Sequence, residues 1–247
     1  MNIKGSIVLV TGANRGIGRA YVDGLLQRGA AKIYLGVRDP ASLADLLKGG
    51  DSRLVPLKLD ITDAAQVAEA AKVAKDVTLL INNAGFAGES SAHATFSLAN
   101  ARQEMEVNYF GLLAMSNAFA PILKANGGGV LVNLLSFLSH VTIPLVATYS
   151  ASKAAALAVT DSLRAELAGQ GTKVVSIMPV QVETEMGQLF PPPRVTTQEV
   201  VDETFEAVEQ GRDEVFPGEQ TKKSAKDFAA DPKAVQAYLS TLLPTAA

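Results

Sequence analysis

The sequence predicts an α/β fold in one domain, residues 1–247: a doubly wound, seven-stranded parallel sheet with helices on both faces. Three observations carry that expectation. Short runs of Val, Ile and Leu recur along the chain, longer alanine-rich segments with helical spacing separate them, and a glycine-rich turn follows the first run. Runs that are apolar on both faces suit parallel strands covered from each side, because a strand with one wet face alternates polar and apolar residues.

In order, the strand-like runs are Ile7–Val10, Ile33–Val37, Leu54–Leu59, Val77–Ile81, Val130–Leu135 and Lys173–Met178, with a weaker seventh at Glu214–Phe216. Between them Val67, Ala70, Ala71 and Ala74 share one helical face, as do Leu157, Leu163 and Leu167. No charge block, linker or repeat divides the chain. Pro191-Pro192-Pro193 cannot continue a helix and marks a loop, taken with its neighbours as a substrate loop over about 180–197. That loop reads either as a surface connector or as a lid over a site.

Composition narrows the function classes. Of 247 residues 48% are hydrophobic, enough for a sizeable core. With no cysteine there is no disulfide framework, thiolate zinc site or thiol nucleophile. Twenty-two basic against 25 acidic side chains leave −3, which argues against nucleic acid as a partner. The N-terminal apolar run is too short for a signal segment and no stretch is long enough to cross a bilayer. The expectation is a soluble, cytoplasmic protein with no membrane partner.

Thr11-Gly12-Ala13-Asn14-Arg15-Gly16-Ile17-Gly18 follows the first strand and opens a helix. Gly12 permits a tight turn, Gly16 lets backbone approach a pyrophosphate, and Gly18 lets helix pack on strand. The helix N-terminus then offers unpaired N–H groups to phosphate. This strand–turn–helix context points to a dinucleotide.

The spacing is TGxxxGIG rather than GxGxxG, and it resembles the short-chain dehydrogenase/reductase family, whose compact members carry a single Rossmann domain. The resemblance runs from Ile7 to about Phe216. It implies that Gly12, Asn14, Arg15, Gly16, Ile17 and Gly18 bind the cofactor. An acidic residue ending the second strand would favour NAD; that place holds neutral Val37, followed by Arg38. With Arg15, Arg38 forms the basic pair that marks NADP(H) preference in the family, since guanidinium grips a 2′-phosphate bidentately. Asp39 stays open as a partner of Arg38 or a ribose contact. Asp60 and Ile61 match the adenine contact of relatives, although Asp60 also suits a helix start. Asn83, Ala84 and Gly85 belong to an NNAG element that lies along the cofactor. Pro179, Val182 and Thr184 match the element that grips the nicotinamide. Val180 departs from the usual glycine there and puts the local pocket shape in question.

Tyr149 and Lys153 are four apart, so they share a helix face. A phenol titrates near ~10, and a neighbouring ammonium favours the phenolate. Lowering it by about three units takes roughly 4 kcal/mol. By resemblance Ser136 bonds the substrate oxygen, with Ser139 a nearby competitor, and Asn108 holds a water toward Lys153. Asn108, Ser136, Tyr149 and Lys153 are the expected catalytic set, and Tyr149 and Lys153 also touch the cofactor. No residue cluster has metal-ligand spacing.

The resemblance implies hydride transfer between NADP(H) and a carbonyl carbon, a secondary alcohol being interconverted with a ketone or aldehyde, Tyr149 acting as general acid or base. The expected substrate wall is Phe86, Phe137, Leu138, His140, Leu145, Gln181, Met186 and Phe190. It is mostly apolar, without an obvious basic residue, and suits a small neutral carbonyl or alcohol substrate. Relatives form homodimers or homotetramers. The competing class is a dinucleotide-binding regulator or scaffold that does not turn over.

Overall fold

The computed structural model describes residues 1–88, 91–93 and 97–243. Its strands are β1 (Ile7–Thr11), β2 (Lys32–Val37), β3 (Leu54–Lys58), β4 (Leu79–Asn82), β5 (Val130–Leu134), β6 (Lys173–Ile177) and β7 (Glu214–Val215). They form one parallel sheet in the order β3-β2-β1-β4-β5-β6-β7. Every run expected as a strand is one, with ends within two residues of the expected positions. Pro56 lacks a ladder donor and falls in β3, an edge strand.

The helices are α1 (Gly16–Gln27), α2 (Ala44–Leu47), α3 (Ala64–Val73), α4 (Ser97–Met105), α5 (Leu112–Ala125), α6 (Ala147–Ala168), α7 (Thr197–Gln210), α8 (Gly218–Ala230) and α9 (Pro232–Leu239). No helix among the described residues is long and apolar enough to cross a membrane.

Alternation along the strands builds two core layers. Val8 and Val10 of β1 enter one, Leu9 the other. The first layer takes Tyr21 and Leu25 from α1 and Val201 and Phe205 from α7. The second takes Val67 from α3, Phe119 and Leu123 from α5, and Leu163 and Leu167 from α6. Each such burial is worth about 1.5–3 kcal/mol. The chain leaves β1 toward β2 and β3, then returns to β4 on the other side of β1. Such a switch point opens a crevice at the C-terminal strand ends.

A buried polar chain runs through the second layer. Asn82 Nδ2 on β4 donates to Asn133 Oδ1 on β5 at 2.9 Å and to Ser116 Oγ on α5 at 3.2 Å. Asn133 Nδ2 donates to Thr160 Oγ1 on α6 at 2.9 Å.

The segment after Pro217, for which the sequence offered no motif, forms α8 and α9. Three contacts fix them over the strand ends. The Val180 N–H donates to Thr221 Oγ1 at 3.3 Å. Phe228 stacks against Phe137 and His140, with ring centroids 6.1 and 5.6 Å apart. Gln236 exchanges two hydrogen bonds with the Thr142 backbone, at 2.9 and 3.0 Å.

Candidate active site

The C-terminal strand ends open into a cavity of about 1930 Å³. One end is the glycine turn. Gly12 and Gly16 hold left-handed backbone, with φ of 68° and 54°. At Gly18 a Cβ would lie 2.0 Å from the Gly12 carbonyl oxygen. α1 therefore starts in contact with the turn, and its first turn has no side-chain cap. Gly16, Ile17 and Gly18 line the cavity, so those N–H groups and the positive end of the helix dipole face it.

All the residues expected to touch cofactor line this cavity: Gly12, Asn14, Arg15, Gly16, Ile17, Gly18, Arg38, Asp60, Ile61, Asn83, Ala84, Gly85, Tyr149, Lys153, Pro179, Val182 and Thr184. Val37 is buried and neutral. Arg38 has no hydrogen bond or ion pair among the described residues. Asp39 does not pair with it; its carboxylate accepts the Ala41 N–H at 3.0 Å. Arg15 pairs instead with Glu185 across the cleft, both side chains exposed. Asp60 Oδ1 accepts from the Thr62 N–H and hydroxyl, at 3.0 and 2.7 Å, while Asp63 caps α3.

Tyr149 and Lys153 stand one turn apart near the start of α6, with Lys153 Nζ 5.7 Å from the Tyr149 ring centre. Lys153 is buried and donates to the Leu134 carbonyl at 3.0 Å. Ser136 follows β5, and its hydroxyl accepts the Leu138 N–H at 3.2 Å. Asn108 lies in a π-helical segment, Glu106–Gly111, between α4 and α5. Its Nδ2 donates to Ser152 Oγ at 2.9 Å and the Phe86 carbonyl at 2.8 Å, and its Oδ1 accepts the Phe86 N–H at 2.9 Å. The amide is spent on holding the segment after β4, at Phe86, to α6. A Cβ added at Gly85 would fall 3.3 Å from Asn108 Oδ1 and 3.8 Å from Lys153 Nζ, so the three converge.

The electrostatics differ from the sequence expectation. Burial holds the Tyr149 phenol above an ordinary tyrosine; the Ser136 hydroxyl opposes this and the Glu104 charge adds to it. Burial brings the Lys153 ammonium down to about 8. In the protein by itself both charged forms are disfavoured, because desolvation is the largest influence on each.

Residues 6–193 match the model of the short chain dehydrogenase family. The chain belongs to that family. A short chain dehydrogenase from Burkholderia cenocepacia, solved in complex with NADP, is 46% identical and superposes with a TM-score of 0.92 over 99% of this chain and 100% of that one. The NADPH-dependent 1-acyldihydroxyacetone phosphate reductase of Schizosaccharomyces pombe is 36% identical over 72% of this chain and 60% of its own length. Short chain dehydrogenase tazN of Aspergillus terreus is 33% identical over 75% of this chain and 43% of its own length. The match therefore spans about half the length of these two relatives.

Of the expected substrate wall, Phe86, Phe137, Leu138, Gln181, Met186 and Phe190 line the same cavity. His140 and Leu145 are corrections, since neither lines it. The His140 ring instead packs on Phe137, Phe216 and Phe228 and sets Nε2 3.2 Å from Met178 Sδ. Leu145 lies in a 3₁₀ turn that presents its neighbours Ile143 and Val146 instead. The loop after Val180 is stapled: Arg194 donates to the carbonyls of Gly187 and Phe190, at 2.9 and 2.6 Å. Val180 itself packs on the first core layer.

Sequence reading missed two groups. One is the wall from α8 and α9, including Lys223, Asp227, Val235 and Tyr238, which brings a basic residue to the cavity after all. The other is Glu104, fully buried one turn before Asn108. Its Oε1 accepts the Gly88 N–H at 2.8 Å, and its Oε2 has no partner among the described residues.

Proposed function

We propose that this protein is an NADP(H)-dependent carbonyl reductase or alcohol dehydrogenase that interconverts a secondary alcohol with a ketone or aldehyde. One observation carries the reading: Ser136, Tyr149 and Lys153 meet in the same cavity wall that holds an uncapped helix N-terminus and an unpaired arginine.

The residues present fit the dinucleotide. The α1 N-terminus and the left-handed Gly16 suit a pyrophosphate. Arg38, beside a neutral Val37, suits a 2′-phosphate and gives a ribose diol no carboxylate. NADP(H) is accordingly the cofactor, in line with the NADP held by the Burkholderia relative. When bound, it supplies or accepts the hydride.

The chain's own groups handle the oxygen and its proton. Ser136 Oγ and the Tyr149 hydroxyl both donate to the carbonyl oxygen, drawing charge onto it as the carbon is reduced. Tyr149 is held protonated, which suits a general acid in the reducing direction. Lys153, poised to ionise near about 8, sits one turn away to return the proton and to hold the cofactor ribose. Asn108 ties the segment at Phe86 to α6. The chain acts as one catalytic unit, with residues 180–197 closing on substrate, in a homodimer or homotetramer.

The test is nicotinamide absorbance with NADPH and NADH in parallel against a panel of ketones, with Tyr149→Phe as the blank. Turnover with NADPH that falls at least a thousandfold in the blank is the expected result. Tight NADPH binding with no turnover on any carbonyl compound would overturn it in favour of a non-catalytic dinucleotide-binding role.

A further inference from the structure

The cavity of about 1930 Å³ runs on past the residues that define the family match: α8 and α9 line it too, and Tyr238 and Leu242 there remain open to solvent.

The two helices present unlike faces to it. From α8 come Gln220, Lys223, Ser224 and Asp227, a polar row at helical spacing. From α9 and the turn after it come Val235, Tyr238, Leu239 and Leu242, an apolar row about 10 Å long. An apolar stripe on a surface helix ordinarily faces a core. This one does not: α9 has no buried residue, and Tyr238 is 68% exposed. The helix is nevertheless fixed, by the Gln236–Thr142 pair and by Asp231, which caps it at the Ala234 N–H at 2.9 Å.

The charges on this wall are already matched. Lys223 pairs with Asp227 at 2.6 Å, and Asp231 is spent on its cap. Lys223, the cation these helices bring to the cavity, is therefore already engaged and not free for a carboxylate or phosphate.

We infer that the α8–α9 wall is a binding site for the hydrocarbon body of the substrate, which is an uncharged ketone, aldehyde or alcohol with an extended apolar portion laid along Val235, Tyr238 and Leu239. This rests on the carbonyl chemistry proposed above. The occupant is set by continuity, because the apolar row and the Ser136–Tyr149 pair line one cavity.

The experiment is a series of methyl ketones from butanone to dodecanone with NADPH, run on the wild type and on the double variant Val235→Ser/Leu239→Ser. Since α9 buries nothing in the core, the variant keeps its fold, which its unfolding temperature checks. In the wild type kcat/KM rises up to about fourfold for each methylene that enters the site. In the variant the rise stops after the short ketones. Val235→Ile/Leu239→Met restores the rise.

An equal slope in wild type and serine variant overturns the inference. So does a loss of self-association in the serine variant with an unchanged slope, because a second copy would then be what covers α9. If no ketone is reduced at all, thermal stabilisation of the NADPH-loaded protein by the same series separates the two proposals. A chain-length dependence present in the wild type and absent in the serine variant keeps this site while the carbonyl reaction falls. No dependence in that readout overturns this site too.

Discussion

Gly18→Ala adds one methyl group where the structure has no room for it. The new carbon would sit 2.0 Å from the Gly12 carbonyl oxygen and 2.5 Å from Asn83 Nδ2. Non-bonded heavy atoms settle at about 3.5–4.0 Å, so the contact must open by more than about 1 Å. Neither neighbour is a loose side-chain end. Gly12 is backbone inside the turn, and Asn83 Nδ2 already donates to the Thr11 carbonyl at 2.8 Å. Overpacking of this kind costs about 1–3 kcal/mol, which for a chain of this length lowers Tm by about 2–12 °C. A turn displaced by that much also loses phosphate contacts, each a charge-assisted hydrogen bond, so the Kd for NADPH rises at least about tenfold. Gly5→Ala is the control. Gly5 has φ of 79° but nothing within 4 Å, so it takes only the left-handed strain of about 1–2 kcal/mol and leaves cofactor binding alone. Thermal unfolding and NADPH fluorescence titration read both quantities. If Gly18→Ala matches Gly5→Ala in both, the close-approach argument for the turn is wrong.

Arg38→Ala weakens NADPH binding by about ten- to a hundredfold and leaves NADH within about twofold, measured by titration of each. Lys153→Met tests burial of the ammonium. Its folded pKa of about 8 lies below the 10.5 of an unperturbed lysine, so the unfolded chain binds more protons between those values and wild-type stability rises with pH across that window. The variant is expected to gain on the wild type by up to about 3 kcal/mol below pH ~8 and to lose that advantage by pH ~10.5, as unfolding at a series of pH values would show. Glu104→Gln keeps the acceptor for the Gly88 N–H and removes a negative charge beside Tyr149. The limb of the kcat–pH profile that reports Tyr149 then moves to lower pH, and an unmoved limb counts against Glu104 as its neighbour.

Much of this was legible in sequence, for a physical reason. Strands buried on both faces announce themselves as unbroken Val, Ile and Leu runs, and the turn after β1 must be glycine where φ is positive. Tyr149 and Lys153 are read from one interval because a helix turns that interval into a shared face. What was not legible depends on contacts between distant segments. The direction of the His140 ring is set by Phe216 and Phe228, which arrive from beyond β6. The cavity face of α8 and α9 carries mixed residues whose common role appears only once Thr221 and Gln236 dock them. Glu104 reads as an ordinary solvated helix acid until Gly88 lies over it.

The buried chain from Asn82 through Asn133 to Thr160 has a mechanical consequence. Dispersive packing resists separation of α6 from the sheet, but it is nearly indifferent to a small slide along the helix axis. A directional amide–hydroxyl bond is not. Thr160 is thereby tied to Asn133, three residues before Ser136. The twelve residues from Tyr149 to Thr160 act as a rod of about 16 Å, pinned at its far end to the strand that carries its partner. The rod and the strand share one datum, so the spacing of the serine and tyrosine hydroxyls is set by hydrogen-bond length and helix rise. Volume changes elsewhere in the second layer alter how strongly α6 is held without altering where it stands.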